Sequence, residues 1–430
     1  MIKRYFKQTW AFLKQNKLFG ALYIIGTAVP VALTMIVITF QYIRVGSIYP
    51  ENHRDELWIS GRAKCKVAMG NISRRIAENW FYPLRKYGPV TAVRSYKEFF
   101  LQLPDGQSMK RIKNLPTDAD FFKVFDFEFL AGKPFSESDF HSGRHCAVIA
   151  ASVAEQLFGS AAEAVGKTVK MDFIDYAVTG VVKDVSSLTP ITHAQAYIPY
   201  TCLNERVDPT PLNLCGSYTI CIRAPKDKGV LMEAEIQNKL RQTRIENDDE
   251  HAFVDVPRIS WQHNSVEIRK AEDHVSVDAV TRAFKIWGGL LIVFLIVPAL
   301  NLSGMIAGRM DGRLSEMGIC RAFGATRSYL LRQVLNENLV LTLIGGFIGL
   351  LISWSILVLG RNWVFDFFSP GFYFFKENTD DVLLRGEMLF SPWIFLSAFL
   401  VCAVLNVTSA IIPAWNSLRT EIVYSLNQKK

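Results

Sequence analysis

Four long runs without a charged side chain constrain this 430-residue chain more than any other feature. They extend from Leu18 to Ile43, Ile286 to Gly308, Asn338 to Gly360 and Met388 to Leu418. Each is longer than the ~20 apolar residues that carry a helix across the hydrocarbon core of a bilayer. The pattern predicts four membrane spans, which put both termini on one side. A cleaved signal peptide is the alternative for the first run. The apolar part of such a leader is only about 7 to 15 residues long, however, and this run exceeds it.

Basic residues beside the spans set the orientation, because short positively charged segments stay in the cytoplasm. Residues 1–17 carry Lys3, Arg4, Lys7, Lys14 and Lys17 and no acid. The segment 309–337 has five basic and three acidic residues, and 361–387 has three basic and five acidic. Residues 1–17, 309–337 and the tail 419–430 are therefore expected inside, with 44–285 and 361–387 outside. The expected order is span 18–43, an outer domain of 242 residues, then spans 286–308, 338–360 and 388–418.

Uncharged spans weigh against an ion-coupled carrier or a proton pump, which need titratable groups at membrane depth. The polar Asn301 and Asn406 read as ties between helices. Gly304 with Gly308, and Gly345 with Gly349, stand four apart, the spacing that lets helix backbones approach closely. The net charge of +8 concentrates at the inner flanks of the spans, so it points to membrane lipids and away from nucleic acid. Within residues 1–17, Ile2, Phe6, Trp10 and Leu13 recur at helical spacing, which predicts an amphipathic helix on the inner leaflet.

The inner loop carries the most specific local signal. A short helix from about Arg313 to Phe323 is expected to end at Gly324 in a left-handed cap, with Thr326 starting the helix that enters the third span. Such a helix is placed to pass on a push from a cytoplasmic partner, and it could equally serve as a structural elbow. Here the sequence resembles the MacB/FtsX-type permease subunits of ABC transporters. That family shows an acidic residue, Gly, then Arg-Ala-x-Gly-Ala, matched by Glu316, Gly318, Arg321, Ala322, Gly324 and Ala325. The segment from Pro413 (PAWNSLRTEIVYSLN) resembles the family's closing segment, with Trp415 and Asn416 where basic residues are more usual.

In the outer domain, residues 146–158 (CAVIAASVAEQLF) read as a strand passing into a helix, and 168–182 as a hairpin. A strand from Ser217, a helix near 229–245 and a strand near 252–259 follow. These segments, with FFKVFDFEFLAGKPFSESD at 121–139, resemble the MacB-type periplasmic domain. The expected fold class is an α-helical membrane protein with four transmembrane helices and a large mixed α/β periplasmic domain between helices 1 and 2.

Other chemistry is sparse. AAEAVGKT at 161–168 fits a loose phosphate-loop pattern, but helix-like residues precede it and strand-like residues follow, the reverse of the required context. His141, His145 and Cys146 have ligand spacing without a helical face to present it. The five outer cysteines (Cys65, Cys146, Cys202, Cys215, Cys221) are odd in number, and pairing of Cys215 with Cys221 or Cys202 is open. The aromatic run Phe372–Phe375 reads as an interfacial anchor.

The resemblance implies a permease that is not itself an enzyme and has no cofactor of its own, with ATP and Mg held by a separate ABC ATPase subunit. It implies a second permease subunit, like or unlike, in a bacterial inner membrane. Arg313, Glu316, Gly318, Arg321, Gly324 and Ala325 would couple to the ATPase, and Gly304, Gly308, Gly345 and Gly349 would pack helices. Movement of the periplasmic domain would drive export or release of a drug, peptide or lipoprotein, with an adaptor and outer-membrane channel or a lipoprotein carrier as further partners. A non-transporting relay that activates a cell-wall hydrolase is the alternative.

Overall fold

The computed structural model describes residues 17–66, 68–95, 97–203, 214–265, 276–312, 314–368 and 392–419. Two compact units result: Met1–Tyr42 with Phe284–Phe368 and Leu384–Lys430, and Ile43–Ala283 with Ser369–Leu383. The expected amphipathic helix before Lys17, the Phe372–Phe375 run and the closing segment beyond Arg419 lie outside the described residues.

The first unit is helical. We number its principal helices α1 (Lys17–Val45), α2 (Val277–Gly312), α3 (Leu314–Ala322), α4 (Arg327–Leu359), α5 (Arg361–Phe368) and α6 (Pro392–Arg419). Each of the four uncharged runs is helical over most of its length. Among the described residues, Gly20–Val45 and Arg327–Leu359 are long and apolar enough to cross a membrane. On α1, Leu18, Leu22, Ile25, Val29 and Leu33 form an exposed apolar stripe at helical spacing, while Tyr23, Thr27 and Val31 are buried. An exposed apolar stripe of this kind is what a helix bordering lipid or a second apolar helix presents. Helix α4 begins eleven residues before the uncharged run it carries, because Leu330, Val334 and Leu341 continue its buried face. The segment after Gly360, expected as an outer loop, opens with α5.

The second unit contains two sheets. In the first, Tyr218–Arg223 pairs antiparallel with Leu57–Ser60 on one side and with Val90–Arg94 on the other. The helix Gly229–Asn247 buries Met232, Ile236 and Leu240, four residues apart, which forms its core-facing stripe. It packs closely at Gly229, where any Cβ would overlap the Trp58 ring. The expected strand at 252–259 is broken into Phe253–Val254 and Arg258–Ile259. Pro257 supplies no backbone N–H to a ladder between them.

The second sheet has seven strands and closes on itself, since Thr168–Met171 pairs with both Ile174–Val182 and Lys97–Gln102. Six strands form the ring, which removes edges that would otherwise template association, and Phe129–Gly132, paired with Ile174–Val182 alone among the described residues, stays at an edge. Its strand Cys146–Ala150 is buried throughout. Cys146 and Val148 face one core, shared with the first sheet, whereas Ala147 and Ile149 face the other. The uninterrupted apolar run CAVIA follows from this, because a strand with a core on both faces has no solvent side to alternate toward.

Candidate functional site

Helix α3 and the turn after it form the inner-loop site. Gly324 is left-handed at φ +91°, and its N–H donates to the Arg321 carbonyl at 3.0 Å while the Ala325 N–H donates to the Cys320 carbonyl at 3.0 Å. These two bonds make a Schellman cap, and Cys320 and Ala325 pack on the same apolar cluster, the contact that usually accompanies it. Thr326 then caps α4, its hydroxyl accepting from the Tyr329 N–H at 3.2 Å. The cluster beneath contains Ile306 and Met310 of α2, Leu330 and Val334 of α4, and Ala410 and Ala414 of α6. The loop is thus a stiff elbow fixed to three long helices.

Its other face is open. Phe323, the last residue before Gly324, is 89% exposed, and Ile319, one turn earlier, is also exposed. Gly318 is buried and Arg321 half-buried. Arg313 lies outside the described residues, and Glu316 is described only as a helical position. Phe323 lies outside the family pattern that Glu316, Gly318, Arg321, Ala322, Gly324 and Ala325 match. The signal available was a large apolar residue at a helix end, with its place in the packed cluster already taken by Cys320 and Ala325.

The glycine pairs differ. A Cβ on Gly345 would overlap Oγ1 of Thr27, and one on Gly349 would lie 2.5 Å from the Ala28 carbonyl oxygen, so α4 approaches α1 at these positions. Gly346 meets the Phe399 ring of α6. Gly304 and Gly308 have no described atom within 4 Å. Glu337, assigned by charge to the inner loop, is buried within α4, and the neighbouring Asn338 is 1% exposed.

In the second unit, buried polar groups gather where the two sheets meet. Asp118 accepts from Thr91 Oγ1 at 2.6 Å, the Ala92 N–H at 2.9 Å and Tyr82 Oη at 2.8 Å. Tyr82 and Tyr200 hydroxyls stand 2.9 Å apart. Burial pushes the Asp118 carboxyl up to about 6, with its hydrogen bonds acting in the opposite direction. Burial is also the largest cause raising both tyrosines. Arg54, 2% exposed, donates from Nη1 to the carbonyls of Ile43 at 2.6 Å and Gly46 at 2.8 Å. Its Nε donates to Glu51 at 2.7 Å, and Thr192 completes the set by donating to the other Glu51 oxygen at 3.1 Å.

The remaining sequence motifs have ordinary structural roles. At 161–168 a helix, Ala161–Ala164, precedes the turn and a strand follows, and Lys167 stacks its ammonium 5.3 Å over the Phe158 ring. His141 lies 3.6 Å from Glu137, and His145 packs edge-on against Tyr176. Every cysteine is a free thiol, with Cys215 donating to the Ala63 carbonyl.

The chain thus combines an α/β unit with an apolar helical unit in which a capped elbow joins two long helices. The chain belongs to the family of ABC transporter permeases that combine a MacB-like periplasmic core domain, matched at residues 23–242, with an FtsX-like permease C-terminal domain, matched at 288–422. It is 26% identical over 310 residues to the macrolide export ATP-binding/permease protein MacB of Agrobacterium fabrum, covering 72% of this chain and 42% of that protein. Identity to the uncharacterized ABC transporter permease YvrN of Bacillus subtilis is 24%, over 59% of this chain and 61% of that one. The chain therefore spans less than two thirds of either relative. Among solved structures, the periplasmic region of MacB from Actinobacillus actinomycetemcomitans matches 47% of this chain and 88% of its own, at 15% identity and a TM-score of 0.33.

Proposed function

We propose that this chain is the permease subunit of an ABC transporter. It would cross a bacterial inner membrane four times with both termini in the cytoplasm, pair with a second permease subunit, and couple to ATP hydrolysis on a separate ATPase subunit. ATP and Mg belong to that partner. Closure of the ATPase pushes on α3, and the push reaches the periplasmic domain, whose movement exports or releases a drug, peptide or lipoprotein already outside the cytoplasm. An adaptor with an outer-membrane channel, or a lipoprotein carrier, would receive the cargo.

The observation that carries this reading is the two-faced elbow. One face of α3 and its cap is locked to three long helices, and the other presents Phe323 and Ile319 to a partner. An apolar knob on a rigid mount suits force transfer, because little of the applied displacement is lost in the mount. Purification of the tagged chain from native membranes in mild detergent should bring down an ABC ATPase, and Phe323→Glu should lose it while retaining normal membrane insertion. Recovery of the same ATPase with Phe323→Glu would reject the contact, and recovery of no ATPase with the unaltered chain would reject the function.

A further inference from the structure

The second unit contains a cleft of about 440 Å³ between the helix Gly229–Asn247 and the chain at 253–258, with Val277 at one side. This volume falls within the range of small-molecule sites. Three arginines line it: Arg241 and Arg244 from the helix, and Arg258 from the opposing chain.

Two of the three are fixed in advance. Arg258 makes a bidentate pair with Glu233, at 3.0 Å to each oxygen, and its buried Nε has no acceptor among the described residues. Arg244 is held by its Nε, which donates to the Ala252 carbonyl at 2.7 Å, so its terminal nitrogens are available. Arg241, less than a turn away, has no ion pair among the described residues. Guanidinium groups already held in place lose little side-chain entropy when an oxyanion binds, and their planar forks match carboxylate and phosphate oxygens.

Charge and lining narrow the ligand. Against the three arginines stand two acids, Glu233 and Asp255, the latter being the acid in the lining itself. Among the described residues one positive charge is left over. Leu240, Phe253 and Val256 add an apolar wall beside it. A bare inorganic anion would leave that wall in contact with water, whereas an uncharged lipid would leave arginine donors unpaired.

We propose that this cleft binds a singly charged oxyanion carried on an apolar body. Two sources share that chemistry, the phosphodiester of a phospholipid and the carboxylate of an acyl chain. The site is independent of ATPase coupling, so its test does not depend on the transporter reading.

The full chain in dodecyl maltoside micelles is titrated by calorimetry with octanoate, dihexanoylphosphatidylglycerol, octanol and inorganic phosphate, with empty micelles subtracted. Saturable one-to-one binding of either amphiphilic anion is expected, and the one that binds identifies the source. Arg241→Gln, which breaks no described bond, should weaken it about tenfold, the loss of one charge-assisted contact, and Arg241→Gln/Arg244→Gln should abolish it. Binding by neither anion, equal binding by octanol or by inorganic phosphate, or binding unchanged in Arg241→Gln would each overturn the proposal.

Discussion

Gly345 and Thr27 meet so closely that a single added carbon on the glycine would occupy the position of the threonine hydroxyl. One turn on, Gly349 faces the Ala28 carbonyl, a backbone atom that cannot rotate away. Gly349→Ala should therefore cost more than Gly345→Ala, each within the ~1–3 kcal/mol typical of overpacking. Gly308→Ala, with no described atom within 4 Å of the added carbon, should leave the thermal midpoint of the detergent-solubilised monomer unchanged. A larger loss at Gly308 than at Gly349 in that melt would reject the packing account.

Arg54 satisfies two carbonyls at the end of α1 and neutralises Glu51 while almost wholly excluded from water. Removing only one member of such a pair leaves an uncompensated buried charge. Arg54→Met should lose roughly 3–5 kcal/mol, whereas Arg54→Met/Glu51→Leu should recover much of it because no charge is stranded. Chemical denaturation of the single and double variants, compared as a cycle, measures the difference. A double variant as unstable as the single would show that the carbonyl contacts, not the charge, dominate.

Asp118 gives a pH dependence with a definite sign. Its carboxyl is raised from 3.8 to about 6 in the folded chain, so the folded state holds the proton more tightly. The contribution to stability is full below about pH 4 and is lost as pH rises through about 6, up to roughly 3 kcal/mol in total. Asp118→Asn should remove that component. The stability difference between the unaltered chain and Asp118→Asn should therefore change between pH 4 and 6 and stay flat from 7 to 8. A difference independent of pH from 4 to 8 would mean that the three donors to Asp118 hold its carboxylate ionised in spite of burial.

Regularities of period and charge made much of this fold legible before any coordinates. The CAVIA strand, the 168–182 hairpin, the Gly324 turn and the Thr326 cap each follow from a local rule that needs no knowledge of distant residues. What escaped depends on partners far along the chain. Closure of the seven-stranded sheet rests on Leu101 meeting Met171, which no local pattern encodes. Glu337 flanks the third uncharged run as a charged residue, yet it is buried within α4. Asp118 stands beside a strand end, where an acid ordinarily faces solvent. Only the approach of Thr91, Tyr82 and Tyr200 makes it a junction.

At the elbow, stability and partner contact rest on adjacent residues and can be separated. Gly324 sits at φ +91°, where a side chain is strained, so Gly324→Ala should destabilise the turn by about 1 kcal/mol or slightly more. Phe323 is almost fully exposed, so Phe323→Ala should leave the thermal midpoint within experimental scatter. If Phe323 is the knob on which the ATPase acts, Phe323→Ala should weaken capture of the ATPase at least tenfold. Gly324→Ala should weaken it less at low temperature, where the cap still forms, and more on warming. Equal loss from both substitutions at all temperatures would mean that the partner reads the shape of the turn and not the aromatic side chain.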